Sequence, residues 1–140
     1  MIAALAGLAL QSSGPANLWT WALYETEGPL VLANEVPDTP QLRSTLECDA
    51  GSGVARLSIF GSPMGTGFVR LTAGDATATT EADGSRRGKT QVTLRTDHPV
   101  FAQFVASGAI NLAMADQTRA ITVERPHRAK LRRFAGLCGG

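Results

Sequence analysis

Residues that do chemistry are scarce in this chain: of 140 residues, two are histidine, two are cysteine and one is tyrosine. Two isolated cysteines do not make a zinc site, and without a C-x-x-C arrangement they do not form a catalytic dithiol. The serines in LSIF, GSP, DGS and ASG have none of the neighbours of a G-x-S-x-G elbow. The segment GSPMGTG (residues 61–67) has the glycines of a phosphate loop but lacks the G-K-[ST] that would follow them, so it reads as a loop between strands. His98 stands beside an expected helix cap and His127 in the first turn of a basic helix. The remaining enzymatic reading is His98 acting with Asp97 or a nearby acid. These scarcities point away from an enzyme, and no metal or cofactor is implied.

Charge of one sign is also missing. The net charge of +1 supplies no global attraction to nucleic acid or membrane. The distribution is uneven, however. Residues 18–60 hold six acids (Glu25, Glu27, Glu35, Asp38, Glu47, Asp49) against Arg43 and Arg56. From Gln117 onward six bases (Arg119, Arg125, Arg128, Lys130, Arg132, Arg133) face Glu124 alone. Such asymmetry marks either a partner-binding face or a basic tail packed near the acidic segment.

The longest apolar run, residues 2–10, is far short of the roughly 20 residues that span a bilayer. It suits the h-region of a secretory signal, with small residues following and Ala16 and Gly14 placed for cleavage after position 16, although no basic residue precedes the run. Residues 1–16 therefore read as a signal-peptide remnant, or else as an apolar N-terminal segment. Residues 17–140 read as a single β-rich domain.

Within that domain, strand-like segments alternate with Gly, Pro and Asp. LWTWALYE (residues 18–25) and residues 30–36 form the first two. Residues 42–48 then alternate, with Leu42, Ser44, Leu46 and Cys48 on one side and Arg43, Thr45 and Glu47 on the other. A side-chain period of two predicts a half-buried strand that points Cys48 inward. Ala55, Leu57 and Ile59 share a face in the next strand, as do Val69, Leu71 and Ala73 in the one after. Residues 77–95 read as a hairpin with Asp83–Gly84 at its tip, and AINLAMA and RAITVE as a strand pair turning at DQT.

Two segments break the β pattern. Phe101, Phe104 and Val105 recur at helical spacing between a cap at Thr96 or Asp97 and a stop at Gly108. RPHRAKLRRFAGLC begins with a proline suited to a helix start. At 100° per residue it gathers Leu131, Phe134, Ala135 and Cys138 on one face and the basic residues on the rest. The expected fold is mainly β: an antiparallel β-sandwich or barrel-like domain with one short internal helix and a C-terminal helix. Cys48 and Cys138 both point inward, which together with an export signal predicts a disulfide; two buried free thiols are the alternative.

The segments LRSTLECDAGSGVARLSIF and FAGLCGG carry a resemblance. An apolar leader, an early L-x-C strand and a closing helix ending F-A-x-L-C-G resemble small exported envelope proteins of Gram-negative bacteria, of the invasion-associated locus B and type VI secretion accessory (TagO-like) types. The resemblance covers order and spacing rather than identity, and only Cys48 and Cys138 correspond. It implies a periplasmic β-sandwich without enzymatic activity.

Binding is the function class that remains. Trp19 and Trp21 share a face, as core or as an interaction patch, since Trp is favoured at interfaces. The helix face with Arg125, Arg128, Arg132 and Arg133 is the second candidate, for an acidic partner, anionic lipid or peptidoglycan. The expectation is a cell-envelope accessory or assembly module with a protein partner, able to touch a membrane surface or self-associate, and without nucleic acid. Inhibition of a lysozyme-type enzyme through the GSPMGTG loop or the DGSRRGK tip is the alternative, with a structural subunit of an envelope assembly as the third reading.

Overall fold

The computed structural model describes residues 18–61, 64–84 and 88–139. The segment read as a leader, residues 1–16, lies outside the described residues, as do parts of the GSPMGTG loop (62–63) and the basic hairpin tip (85–87).

Nine strands follow one another as expected from the alternation: β1 (Thr20–Tyr24), β2 (Leu30–Glu35), β3 (Leu42–Cys48), β4 (Val54–Phe60), β5 (Gly67–Ala73), β6 (Ala76–Asp83), β7 (Lys89–Arg95), β8 (Ala109–Met114) and β9 (Gln117–Thr122). Helix α1 (Pro99–Ser107) separates β7 from β8, and α2 (Arg128–Gly139) closes the domain after a 3₁₀ turn at Arg125–His127. The strands form a single antiparallel sheet in the order β1-β2-β3-β4-β7-β6-β5-β8-β9. The sheet curls into a half-barrel, so the barrel-like architecture holds rather than two stacked sheets. Residues of β2, β3 and β4 line one cleft together with residues of β9, which places the two ends of the curl across from each other.

Directly opposed residues of antiparallel strands point to the same side, so the registers define the inner face. One rung, Leu23–Leu32–Leu46–Leu57–Val92–Ala82, crosses six strands and is buried except for the half-exposed Leu23 at its edge. A second, Leu30–Cys48–Ala55–Leu94, lies beside it. A third, Trp21–Asn34–Ser44–Ile59–Thr90, carries three of the five buried polar residues, Asn34, Ser44 and Thr90. The helices pack on this inner face, α1 across β5, β6 and β8 and α2 across β1, β2 and β4. Phe101 and Phe104 of α1 and Leu131 and Phe134 of α2 complete one continuous core.

Cys138, on the oily face of α2, is bonded to Cys48 of β3, with the Cα atoms 5.7 Å apart. The β3–β4 turn adds backbone contacts at the same corner. Gly51 and Gly53 donate their N–H groups to the carbonyls of Leu137 and Cys138 at 2.9 and 2.8 Å. Those carbonyls belong to the last turn of α2, where no intrahelical donor reaches. Both glycines have positive φ, 77° and 72°, which aims their N–H groups that way without a Cβ penalty.

Several local expectations need correction. The cap of α1 is His98, whose Nδ1 accepts from the Val100 N–H at 3.0 Å. Thr96 and Asp97 are engaged elsewhere: Thr96 Oγ1 donates to the Gly53 carbonyl, and Asp97 holds the Arg95 guanidinium through two bonds. In β3 the alternation fails at two positions, since Leu42 is exposed and Thr45 is buried. A bulge opposes Asn34 to Ser44 but Glu35 to Leu42, leaving Arg43 as the extra residue and moving Leu42 out of phase. Gly84 does not supply a positive φ at the hairpin tip. It is glycine because a Cβ there would collide with the Gly65 carbonyl oxygen. The β8–β9 turn is Ala115–Asp116 rather than DQT, with Gln117 and Thr118 already in β9.

Two outcomes follow for stability. Replacing both cysteines (Cys48→Ala with Cys138→Ala) releases a closure spanning 90 residues and lowers the unfolding free energy in a urea titration by about 4.6 kcal/mol on the chain-entropy model. Thr45→Val has the opposite sign. The Thr45 hydroxyl is buried without a partner, so its removal raises stability by about 1 kcal/mol, read as a higher urea midpoint at unchanged slope.

Candidate partner-binding surface

The aromatic pair of the first strand is divided. Trp21 is buried in the core, its indole N–H without a hydrogen-bond acceptor. Its carbonyl accepts from Lys130 Nζ at 2.6 Å, which draws α2 against β1. Trp19 is half-exposed at the mouth of the curl, with the Arg43 guanidinium 4.0 Å above its ring centre. A cation over an aromatic face holds both groups in place. Trp19 and Trp21 therefore do not present a joint aromatic patch.

The four arginines of the terminal helix region are divided as well. Arg133 donates through Nε and Nη2 to both carboxylate oxygens of Glu25, at 2.5 and 2.8 Å. Arg128 is half-buried, with its Nε donating to the Val123 carbonyl at 3.1 Å. It packs over Gly108, where a Cβ would meet both Arg128 and the Val123 carbonyl. Arg125 and Arg132 are exposed. The basic tail thus packs on the acidic segment, Arg133 to Glu25. Lys130 also lies 3.3 Å from His127 Nδ1.

The electrostatics follow from these pairings. The Arg133 guanidinium holds the Glu25 carboxyl below its ordinary value. Arg95 does the same for Asp97. The Tyr24 hydroxyl donates to both oxygens of Glu35, at 2.9 and 2.7 Å, and that bond raises its pKa. His98 uses Nδ1 on the helix cap, and Asp97 holds the Arg95 guanidinium with both carboxylate oxygens. Among the described residues no three His, Cys, Asp or Glu side chains are grouped to hold a metal ion, and no helix is long and apolar enough to cross a membrane.

Sequence reasoning missed the outer face of β5, β6 and β8. Phe68 is 71% exposed there, the most exposed large apolar side chain among the described residues. It borders a shallow groove of about 350 Å³ lined with Val69, Arg70, Thr79, Ala113 and Ala115. The signal was available as parity: Val69, Leu71 and Ala73 inward require Phe68 and Arg70 outward. A smaller cleft of about 210 Å³ lies at the seam of the curl, where Arg43, Asn34 and Ser44 face Ala120, Thr122 and Glu124. No family model, curated protein or solved structure matches the chain.

The Glu25–Arg133 pair gives a pH signature. A carboxyl depressed in the folded state adds stability above its ordinary value of 4.5 and loses it as the pH falls through the folded value. Glu25→Gln is therefore expected to lower the urea midpoint at pH 7, and the wild-type and variant curves converge in acid. Both side chains are substantially exposed, so the difference at pH 7 shrinks in high salt.

Proposed function

We propose that this protein is a non-enzymatic, exported accessory or assembly module of the cell envelope that acts through protein contacts. The observation that carries the reading is the Cys48–Cys138 disulfide. Such bonds persist in oxidising, extracytoplasmic surroundings and are rare where thiols are kept reduced. The resemblance in order and spacing to the locus B and TagO-like envelope proteins supports the periplasm as that compartment. For the contact surface, the exposed Phe68 beside Arg70 is the best anchor the described residues offer. Aromatic residues and arginine are enriched at interfaces, and Phe68 is exposed rather than packed into its own core. The residues paired within the fold, Arg133, Arg128 and Trp21, have less to give a partner.

A photo-crosslinking amino acid placed at Phe68 tests this in envelope extract. The expected result is one defined crosslinked protein, lost when Arg70→Glu is introduced beside it while the unfolding midpoint stays unchanged. Recovery of no defined partner under mild conditions overturns the reading. Alkylation of the native protein without reductant is expected to label neither cysteine; labelling of both would remove the compartment assignment.

A further inference from the structure

Two opposite charges share the seam cleft without meeting. Arg43 of β3 lines it together with Glu124, which follows β9, in a volume of about 210 Å³. Among the described residues neither side chain enters an ion pair or donates or accepts a hydrogen bond. Unpaired surface charges are common, so the way each one is held is what matters. Arg43 is the extra residue of the β3 bulge, and a bulge re-aims the side chain it carries. Its guanidinium carbon lies 4.0 Å from the centre of the Trp19 ring. Stacking of that kind uses the face of the guanidinium and fixes its plane. The N–H donors along its edge stay free in a rigid fork, the geometry that takes a carboxylate through two parallel bonds.

The floor of the cleft adds a second, independent observation. Ser44 is only 6% exposed, yet its hydroxyl has no hydrogen-bond partner among the described residues and opens on the cleft. A hydroxyl so deeply placed is costly unless something in the cleft bonds to it. Asn34 is buried beside it, and its Nδ2 donates to the Thr20 carbonyl at 3.0 Å, which leaves the carboxamide oxygen as a spare acceptor. On the facing side, Glu124 precedes the 3₁₀ turn at Arg125–His127, and its side chain does not cap that turn.

We infer that the seam cleft binds a small zwitterion of the α-amino acid class. Its carboxylate lies in the Arg43 fork and its ammonium turns toward Glu124, while the Ser44 hydroxyl and the Asn34 carboxamide oxygen supply uncharged bonds. Size and sign select this ligand. The cleft is smaller than the roughly 300–1,000 Å³ of sites that hold drug-sized ligands, so only a small molecule enters. A phosphate or a dicarboxylate would answer Arg43 but set a second negative charge against Glu124, and a simple amine would meet the reverse difficulty at Arg43. A molecule with one charge of each sign suits both sides at once. This inference stands apart from the proposed function, whose anchor at Phe68 lies on the outer face of the sheet and lines a different groove.

Amide NMR shifts of the isotope-labelled protein, titrated with each common protein amino acid in turn, test this. At least one amino acid is expected to shift Asn34, Ser44 and Thr122 saturably. The matching amine without the carboxylate, and the matching acid without the ammonium, are each expected to bind about tenfold more weakly, the loss of one charge-assisted contact. Arg43→Lys keeps a cation over Trp19 but removes the fork, and Glu124→Gln removes the charge at constant size. Each is expected to weaken binding of the same amino acid about tenfold at an unchanged urea midpoint. No saturable shift with any of the amino acids overturns the inference, whether or not N-acetylglucosamine shifts the same residues. An acid without the ammonium that binds as tightly as the amino acid makes the cleft an anion site only and overturns it too. So does a Glu124→Gln variant of unchanged affinity.

Discussion

A curled sheet with helices on its inner face must hold its last element against a strand formed much earlier, and here a covalent bond does so. Cys48 ends β3, and Cys138 sits at the end of α2. The bond encloses six of the nine strands and the internal helix, so most of the chain's unfolded freedom is restricted by one link. The link does not act alone. Gly51 and Gly53 fasten the C-terminal carbonyls of α2, and the Thr96 N–H bonds to the Gly53 carbonyl at 2.9 Å. The end of β7, the β3–β4 turn and the end of α2 therefore meet at one corner. Because these hydrogen bonds satisfy two carbonyls that the helix itself cannot, the last turn of α2 is anchored through its backbone as well as through the disulfide.

The other end of α2 is held by charge. The uneven distribution of acids and bases along the chain is largely consumed within the fold, through Arg133 on Glu25 and Lys130 on the Trp21 carbonyl, with Arg128 on the Val123 carbonyl beside them. Exposed ion pairs add little stability individually. Their effect here is placement, since they orient a helix whose fully buried side chains are Leu131, Phe134 and Cys138. With those bases engaged, Arg125 and Arg132 remain exposed, which weakens the case for a broad cationic surface and shifts attention to the sheet.

Local periodicity made the strands, the inward thiols and the faces of both helices legible. Leu46 and Cys48 alternate with Glu47, Ala55 and Leu57 with Arg56, and Leu131, Phe134 and Cys138 repeat at helical spacing. Each of these patterns is written within a few residues. The details that went unread depend on neighbours distant in sequence. His98 caps α1 because Asp97 is drawn to Arg95 and Thr96 to Gly53, and neither preference is visible in the segment itself. Leu42 is exposed because β2 contributes one residue fewer than β3 at the bulge. The Phe68 groove is legible only by complement, since Val69, Leu71 and Ala73 inward imply Phe68 and Arg70 outward, and its shape depends on β6 and β8, distant in sequence.

The parting of β6 from β7 after two paired positions is tied to the same corner that stabilises the domain. Strand β7 must end where Thr96 can reach Gly53, beside the β3–β4 turn, and that pulls its second half toward β4. The chain must then re-enter the inner face so that α1 can lay Phe101 and Phe104 beneath β5, β6 and β8. A β7 that followed β6 to its start would run away from the corner, giving up the Thr96 bond and the helix entry at His98. Pairing is therefore kept only at Ala82 and Asp83, where the two strands leave their shared tip. Among the described residues, no strand pairs with the other edge of residues 76–81. In this fold the tight corner and the parting of β6 from β7 are two results of one constraint, the path that β7 takes to bring the last helix home.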